Sequence, residues 1–335
     1  MRGIVIAATR YLTGLLLAAL LCAFAPVASA FEMPQWQSAL ERDHPLAGQI
    51  LNTQGQGISP EKMIADMAKA DFVILGETHD NRDHHAIQAE IIEAIAQAGA
   101  QPAIVFEMLP RPMQARLDAF LAGAVPDAAA FGDLVEWEKR GWPDWKTYQP
   151  ILEAAIRHNL PVIAGNVARE QLGEIFASGT ANMDEALSAR YAFDRPLPED
   201  SEQALVEALL EGHCGHMPEG QGERMQLVQR LRDGSMADAM IEAAKNGGKP
   251  IILIAGSGHA RRDFGVPHVL SELASESRTI SLALIEASKG DTVPEGYLPP
   301  ADANGPYDYV LITPRAERED PCERFLERIK SREDG

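Results

Sequence analysis

Basic residues are scarce in this sequence: 335 residues include 30 Lys and Arg against 49 Asp and Glu, a formal net charge of −19. Phosphate contacts need clustered Lys and Arg to displace counterions, so this balance excludes nucleic acid as a partner. Low-complexity tracts and repeats of solenoid or propeller period are also absent. The length excludes a disulfide-stapled miniprotein, and a hydrophobic content of 46% excludes a disordered chain.

Long hydrophobic runs are absent too, and the run near the N-terminus is short. Leu12–Cys22 is apolar, follows Arg2 and Arg10, and precedes Ala28-Ser29-Ala30. This order predicts a secretory signal peptide that is cleaved after Ala30, because the run is too short to span a bilayer comfortably. An uncleaved anchor helix is the alternative, and a lipid anchor is not expected because a bulky leucine precedes the cysteine at position 22. We therefore expect residues 31–335 to form one domain in the periplasm.

Cysteine is rare, and only Cys214 and Cys322 follow the predicted signal peptide. An oxidising compartment allows two such residues to pair. They lie more than a hundred positions apart, and the sequence gives no geometry for them. A disulfide and two free thiols both stay open.

Short apolar runs alternate with longer segments of helical period, which predicts an α/β fold. The first four runs are apolar throughout, as in strands that are buried on both faces of a mostly parallel sheet flanked by helices. Residues 169–246 hold no strand pattern and predict a helical insertion or cap. The last twenty residues, around Phe325, predict a terminal helix. The predicted strands are residues 71–75, 103–106, 161–164, 251–255, 280–284 and 308–313.

Polar side chains follow the predicted strands where each strand ends. Because ligands of open α/β sheets bind beyond the carboxyl ends of the strands, these side chains form a candidate site. Imidazoles and carboxylates there suit a metal ion or general base catalysis, and arginines suit an anionic group. Turn-capping histidines and carboxylate–arginine pairs are the structural alternatives. The candidates are Glu77 and His79, Glu107, and His259 with Arg261 and Arg262.

Three further histidines receive a different interpretation. His84 and His85 follow at the start of a predicted helix, where we expect solvated side chains. The alternative is that one of the two, but not both, faces the candidate site, because adjacent residues of a helix point about 100° apart. His268 follows a proline and is interpreted as the opening of another helix.

A second cluster combines His213, Cys214 and His216, whose side chains are types that ligate haem iron or transition metals. A tight turn with Cys214 in a disulfide is the equal alternative. Trp137, Trp142, Trp145 and Tyr148 are aromatic residues that stack on a flat macrocycle or pack in the core, and core packing is favoured.

Taken in order, several motifs resemble the ChaN-like haem-binding uptake proteins of the Tiki superfamily, which also includes erythromycin esterase-like and TraB-like proteins. They are Phe72-Val-Ile-Leu-Gly-Glu-Thr-His79, Phe106-Glu-Met108, Trp142-Pro-x-Trp-x-x-Tyr148, His213-Cys-Gly, Met236-Ala and Ile254-Ala-Gly-Ser-Gly-His-Ala-Arg-Arg262. The resemblance implies an α/β core with paired Gly-x-x-His motifs. It also implies an envelope protein that binds haem and pairs haems across a homodimer. Its haem ligands do not map onto one motif here, so Tyr148, His213, Cys214 and His216 are candidates.

Two functions follow as expectations. The first is an exported haem-binding protein for haem or iron uptake, working with a haem transport system, with the propionates on Arg261 and Arg262. The second is a hydrolase in which His79, His259, Glu77 and Glu107 hold a divalent metal ion that activates water. In that case Glu77 and Glu107 are the catalytic candidates. A binding protein is favoured over an enzyme, and an interaction module without chemistry is the third alternative.

Overall fold

The computed structural model describes residues 31–217, 220–298, 305–319 and 322–323. Residues 1–30, on which the signal-peptide prediction falls, and residues 324–335, which include most of the predicted terminal helix, lie outside the described residues. Among the described residues, no helix is both long and apolar enough to cross a membrane.

A seven-stranded sheet forms the centre of the molecule, in the order β1-β7-β6-β2-β5-β3-β4. Six strands are parallel, and β1 pairs with β7 antiparallel. The α/β prediction is therefore confirmed, and the six apolar runs form β2 to β7. The strands are β1 Ile50–Asn52, β2 Phe72–Glu77, β3 Ala103–Pro110, β4 Val162–Asn166, β5 Ile251–Gly256, β6 Thr279–Glu286 and β7 Tyr309–Thr313.

Helices cover both faces of this sheet, which explains why its central strands are apolar throughout. Leu75 and Ile254 face α2 and α5, while Ile74 and Leu253 face α9 and α10. Residues 169–246 contain α6 to α9 and, as far as they are described, no strand. The helices are α1 Pro60–Met67, α2 Arg82–Gln97, α3 Gln114–Leu121, α4 Ala128–Leu134, α5 Trp145–Arg157, α6 Arg169–Ser178, α7 Glu185–Arg190, α8 Glu199–Gly212, α9 Gly222–Lys245 and α10 Val266–Leu273.

Strand β4 lies at the edge of the sheet, and the side chain of Gln114 closes part of that edge. Its amide nitrogen donates to the carbonyl of Val162 at 3.0 Å, and its amide oxygen accepts from the N–H of Ala164 at 2.8 Å. These two backbone groups are the ones that a neighbouring strand would use. Gln114 therefore takes the place of a strand partner.

A disulfide joins Cys214, beyond the end of α8, to Cys322 near the C-terminus. It spans a sequence separation of 108 residues and settles the open question about the two cysteines. It ties the turn after α8 to the C-terminal segment.

Candidate functional site

Strands β2, β5 and β3 are neighbours in the sheet, so their carboxyl ends bring Glu77, His79, Glu107 and His259 together. Close packing at glycines makes this approach feasible. A Cβ on Gly76 would lie 2.7 Å from the Cβ of Ala260 and 3.0 Å from the Cα of Ser257. Real Cβ atoms do not approach that closely, so only glycine fits at the end of β2.

Carboxylate and imidazole side chains alternate in a row of contacts at this edge of the sheet. His79 Nδ1 lies 2.9 Å from Glu77 Oε1, and His79 Nε2 lies 3.9 Å from Glu107 Oε1. On the other side of Glu107, the same oxygen lies 3.5 Å from His259 Nε2. His259 Nδ1 lies 2.6 Å from Oδ1 of Asp233, a residue of α9. Each imidazole therefore lies between two carboxylates.

Glu107 is the central carboxylate in this row of contacts, and it is buried. Gly256 donates its backbone N–H to Oε2 at 2.7 Å, and Arg232 forms an ion pair with Oε1. Burial alone would raise the pKa of Glu107, but the charges of His259 and Arg232 hold it well below its ordinary value. Glu107 is therefore an ionised carboxylate, paired with Arg232 rather than with the predicted Arg261 or Arg262.

His259 is the buried cation of the site. Burial alone would lower its pKa, but Glu107 and Asp233 on either side raise it to about 9. The imidazole is therefore an imidazolium at neutral pH, with Nδ1–H donated to Asp233.

Glu77 is surrounded by donors at the other end of this row of contacts. The hydroxyl of Tyr148 donates to its Oε1, and His85 Nε2 lies 3.5 Å from its Oε2. Burial alone would raise the pKa of Glu77, but His85 and His79 lower it. The phenol pKa of Tyr148 lies well above its ordinary value because the group is buried and faces Glu77. Tyr148 is therefore a neutral donor that holds an ionised carboxylate.

His79 connects this buried row of contacts to the surface. Its side chain is 35% exposed, whereas those of Glu77, Glu107 and His259 are 6% exposed or less. Burial lowers its pKa, but Glu107 and Glu77 outweigh this effect and raise it. The half-buried ring of Trp142 lies edge-on, 5.1 Å away. A ligand would meet His79 and Trp142 first.

The four residues predicted to ligate a metal are brought together, but their geometry does not favour a metal site. In the described part of the chain, no group of three or more His, Cys, Asp or Glu side chains could hold a metal ion. The physical reason is that Glu107 and His259 already use their polar atoms on each other and on Arg232, Asp233 and Gly256.

The expectation that His84 and His85 are solvated is wrong, because both side chains are buried. Nδ1 of His84 accepts from the N–H of Thr78 at 2.9 Å, and its Nε2 lies 2.8 Å from Thr313 Oγ1. Burial lowers the pKa of His84 to about 3. The ring of His85 packs on Tyr148 with the centroids 3.7 Å apart. His268, by contrast, lies in the first turn of α10, as predicted.

Arg261 and Arg262, predicted to hold an anionic ligand group, both have carboxylate partners within the chain. Arg261 binds Asp263 through two nitrogens and lies over the ring of Phe264. Arg262 pairs with Asp308 at 3.1 Å. An anion at either arginine would have to compete with these carboxylates.

The candidates His213, Cys214 and His216 lie in the turn after α8. The sulfur of Cys214 is bonded to Cys322 and is therefore not a thiolate. Nδ1 of His213 lies 2.7 Å from the carbonyl oxygen of Leu209, and Nδ1 of His216 lies 2.8 Å from that of Cys214. Because a carbonyl only accepts, each Nδ1 carries a proton and each neutral ring has its lone pair on Nε2.

Most of the aromatic patch is core, as favoured from the sequence. Trp137, Trp145 and Tyr148 are buried, and Trp142 is the half-buried member at the mouth of the site.

Sequence reasoning missed the contribution of α9, which supplies Arg232 and Asp233, and it missed the burial of His85. Neighbouring charged residues in a helix, such as these two, are usually interpreted as part of its solvent-exposed face. The sequence feature that indicates burial here is the adjacent Gly234. It packs so closely against Tyr191 that an added Cβ would lie 2.5 Å from the Tyr191 Cβ.

Comparison with known proteins agrees with this architecture. The family model described as haem-binding uptake, Tiki superfamily, ChaN matches residues 63–270. ChaN of Campylobacter jejuni, solved with cofacial haem, has a TM-score of 0.62 at 22% identity, covering 78% of this chain and 95% of that chain. The type III effector HopBA1 has 12% identity, a TM-score of 0.44 and coverages of 84% and 98%. An erythromycin esterase in its open conformation has 13% identity and a TM-score of 0.45, and the match covers 82% of this chain and 99% of that chain.

At 22% identity the likeness to ChaN of Campylobacter jejuni shows the fold alone. No curated protein matches the sequence. The family match is longer than half of the chain and includes Glu77, His79, Glu107 and His259. The chain belongs to the haem-binding uptake family of the Tiki superfamily, the ChaN family.

Proposed function

We propose that this protein binds haem and serves haem or iron uptake in the cell envelope. The observation that carries the proposal is its membership of the haem-binding uptake family over residues 63–270. The structural relative from Campylobacter jejuni, which binds haem cofacially, supports the same function.

The side chains at the surface fit a haem. An iron ligand needs a nitrogen lone pair that faces outward, which a hydrogen bond from the other ring nitrogen fixes. His216 meets this requirement, because its Nδ1 is engaged by the Cys214 carbonyl and its side chain is exposed. His79 meets it in part: its Nδ1 is engaged by Glu77 and its side chain reaches solvent, but its Nε2 faces Glu107 at 3.9 Å. Trp142 beside His79 offers an aromatic face. When bound, haem supplies an iron centre that the protein carries.

Other candidates fit less well. Tyr148 is buried, its hydroxyl proton is directed at Glu77, and its raised pKa opposes the phenolate that iron prefers. Cys214 is in a disulfide, and His213 is more buried than His216. We therefore propose that His79 or His216 would ligate the iron of a bound haem.

A hemin titration followed by absorption tests the proposal. Wild type should give a saturable shift of the Soret band. His79→Ala and His216→Ala, measured separately, should show which change abolishes it, and His268→Ala is the matched control. A wild type without a saturable shift would refute haem binding, and an unchanged shift in the His79/His216 double variant would refute both ligands.

Export is part of this proposal. The Cys214–Cys322 disulfide supports it, since disulfides persist in oxidising compartments. Mature protein from a periplasmic fraction should begin at Phe31, as checked by N-terminal sequencing. A full-length N-terminus would contradict cleavage after Ala30. A haem transport system and a homodimer are the partners we propose.

A hydrolase is the second candidate, and the orientation of His79 favours it. Glu77 accepts from Nδ1–H of His79, which leaves Nε2 as a base for water, beside the imidazolium of His259. Release of p-nitrophenol from p-nitrophenyl acetate, lost in His79→Ala but kept in His268→Ala, would support this candidate. Equal rates in wild type and His79→Ala would exclude it for this ester.

A further inference from the structure

Three arginines lie around one open pocket that sequence reasoning did not predict. Arg116 of α3, Arg140 and Arg169 of α6 line a pocket of about 370 Å³. Within the described part of the chain, none of the three forms an ion pair with a carboxylate. In a protein with 49 acidic and 30 basic residues, such pairing would be easy to achieve.

The backbone fixes two of these guanidinium groups without neutralising them. Arg116 donates to the carbonyl of Leu134 at 3.1 Å, and Arg140 donates through Nε to the carbonyl of Val135 at 2.8 Å. A carbonyl accepts a hydrogen bond but carries no net charge. The remaining N–H groups of both side chains are therefore held in place as cationic donors.

Arg169 adds the start of a helix to the same pocket. It is the first residue of α6, whose N-cap is Ala168, a residue without a side-chain oxygen. The N–H groups of the first turn therefore lack a capping side chain, and the helix dipole adds positive potential there.

Two glutamates also line the pocket and reduce its charge only in part. Glu136 pairs with Lys139 at 2.8 Å. The charge of Glu136 also acts on Arg116 and Arg140, and Glu170 forms no ion pair in the described part of the chain, so three guanidinium groups face two carboxylates.

Along the chain, the residues of this pocket follow the same strands as residues of the site. Pro110, which ends β3 three residues after Glu107, lines it, and so does Ala168, two residues after β4. Arg140 is two residues from Trp142, whose ring contacts His79. We infer from this succession along the chain that a ligand held at Trp142 could extend towards the arginines.

We propose that Arg116, Arg140 and Arg169 bind a carboxylate or phosphate group of the ligand, the haem propionates being the source if the proposed function holds. Planar guanidinium groups bind such anions in a bidentate manner. This role replaces the one predicted for Arg261 and Arg262, whose charges Asp263 and Asp308 already balance.

The test compares a triple variant, Arg116→Gln with Arg140→Gln and Arg169→Gln, with a control that removes the same charge elsewhere. Arg195, Arg224 and Arg315 are also exposed, and their replacement by Gln provides that control. We expect the triple variant to bind hemin at least about tenfold more weakly than wild type, and the control to bind like wild type. Hemin dimethyl ester, which lacks free carboxylates, should bind the wild type and the triple variant equally.

A second arm uses inorganic phosphate on the haem-free protein, with melting temperature as the readout. Phosphate should raise the melting temperature of wild type and of the control but not of the triple variant. If the wild type fails to bind hemin, the proposed function is refuted. The anion site is still supported in that case if phosphate raises the melting temperature of the wild type and the control but not of the triple variant. Equal phosphate effects in all three proteins, or wild-type hemin affinity in the triple variant, would overturn the inference.

Discussion

The Nδ1 atom of His259 lies 2.6 Å from Oδ1 of Asp233, which joins the end of β5 to the middle of α9. Asp233 is buried, and Glu107 faces the other ring nitrogen of His259. The imidazolium thus holds two buried carboxylates that would otherwise repel each other. The charge of His259 thus joins α9 to the sheet. The protonation state of His259 should therefore affect the free energy of unfolding.

Alkaline pH should weaken the fold through His259. Its folded pKa of about 9 lies above the ordinary histidine value of 6.5, so its stabilisation is fully present below pH 6.5 and is lost as pH rises through 9. We expect the free energy of unfolding to fall by about 3 kcal/mol between pH 6 and pH 9.5. Urea unfolding across this range measures the change.

His259→Gln is the matched variant for that prediction. It removes the cation between Glu107 and Asp233 and should cost roughly 3–5 kcal/mol at neutral pH. Its stability should also vary less with alkaline pH than that of wild type. Parallel pH profiles for the two proteins would contradict the assigned role.

Acid should weaken the fold through His84. Its folded pKa of about 3 lies below 6.5, so the unfolded chain takes up a proton first and stability falls as pH decreases below 6.5. Between pH 7 and pH 4.5 the contribution of His84 to this loss should be about 2–3 kcal/mol. His84→Asn removes the titrating group, so its unfolding free energy should change less over the same interval, and an equal change would refute the assignment.

Breaking the disulfide should lower stability. A cross-link over 108 residues restricts the unfolded chain strongly, and the Cys214→Ser, Cys322→Ser double variant should be roughly 2–4 kcal/mol less stable than oxidised wild type. Thermal melts with and without reductant measure this effect. Reductant should shift the wild type and leave the double variant unchanged, and a reductant effect on the double variant would point to another cause.

A methyl group on Gly256 should displace His79. Its Cβ would lie 3.0 Å from His79 Nε2, whereas a Cβ on Gly258 meets nothing within 4 Å. The backbone at Gly256 has φ −58°, which any residue adopts, so Gly256→Ala should fold with a cost of about 1 kcal/mol or less. NMR titration should show the pKa of His79 falling towards 6.5 in Gly256→Ala but not in Gly258→Ala.

The sequence allowed prediction of the sheet because strands buried on both faces are apolar at every position. It failed for β1, whose three residues Ile50–Asn52 are too short for a pattern. The meeting of His79 and His259 followed from their place after parallel strands. The partners from α9 did not, because Asp233 reaches the site through tertiary packing that no local pattern records.

The error at His84 has a similar origin. The start of a helix is usually solvated, but Thr313 at the end of β7 covers this one, 229 positions along the chain. For Arg261, a partner two residues away was visible in the sequence, whereas the pairing of Arg262 with Asp308 depends on the fold.

The amide of Gln114 has a consequence for the behaviour of the protein at high concentration. An open strand edge is a template on which another chain can add a strand, leading to aggregates. Here the carbonyl of Val162 and the N–H of Ala164 are already engaged, and an incoming chain would first have to displace a side chain tethered to its own helix. Gln114 thus hinders the addition of a strand from another molecule at the β4 edge of the seven-stranded sheet.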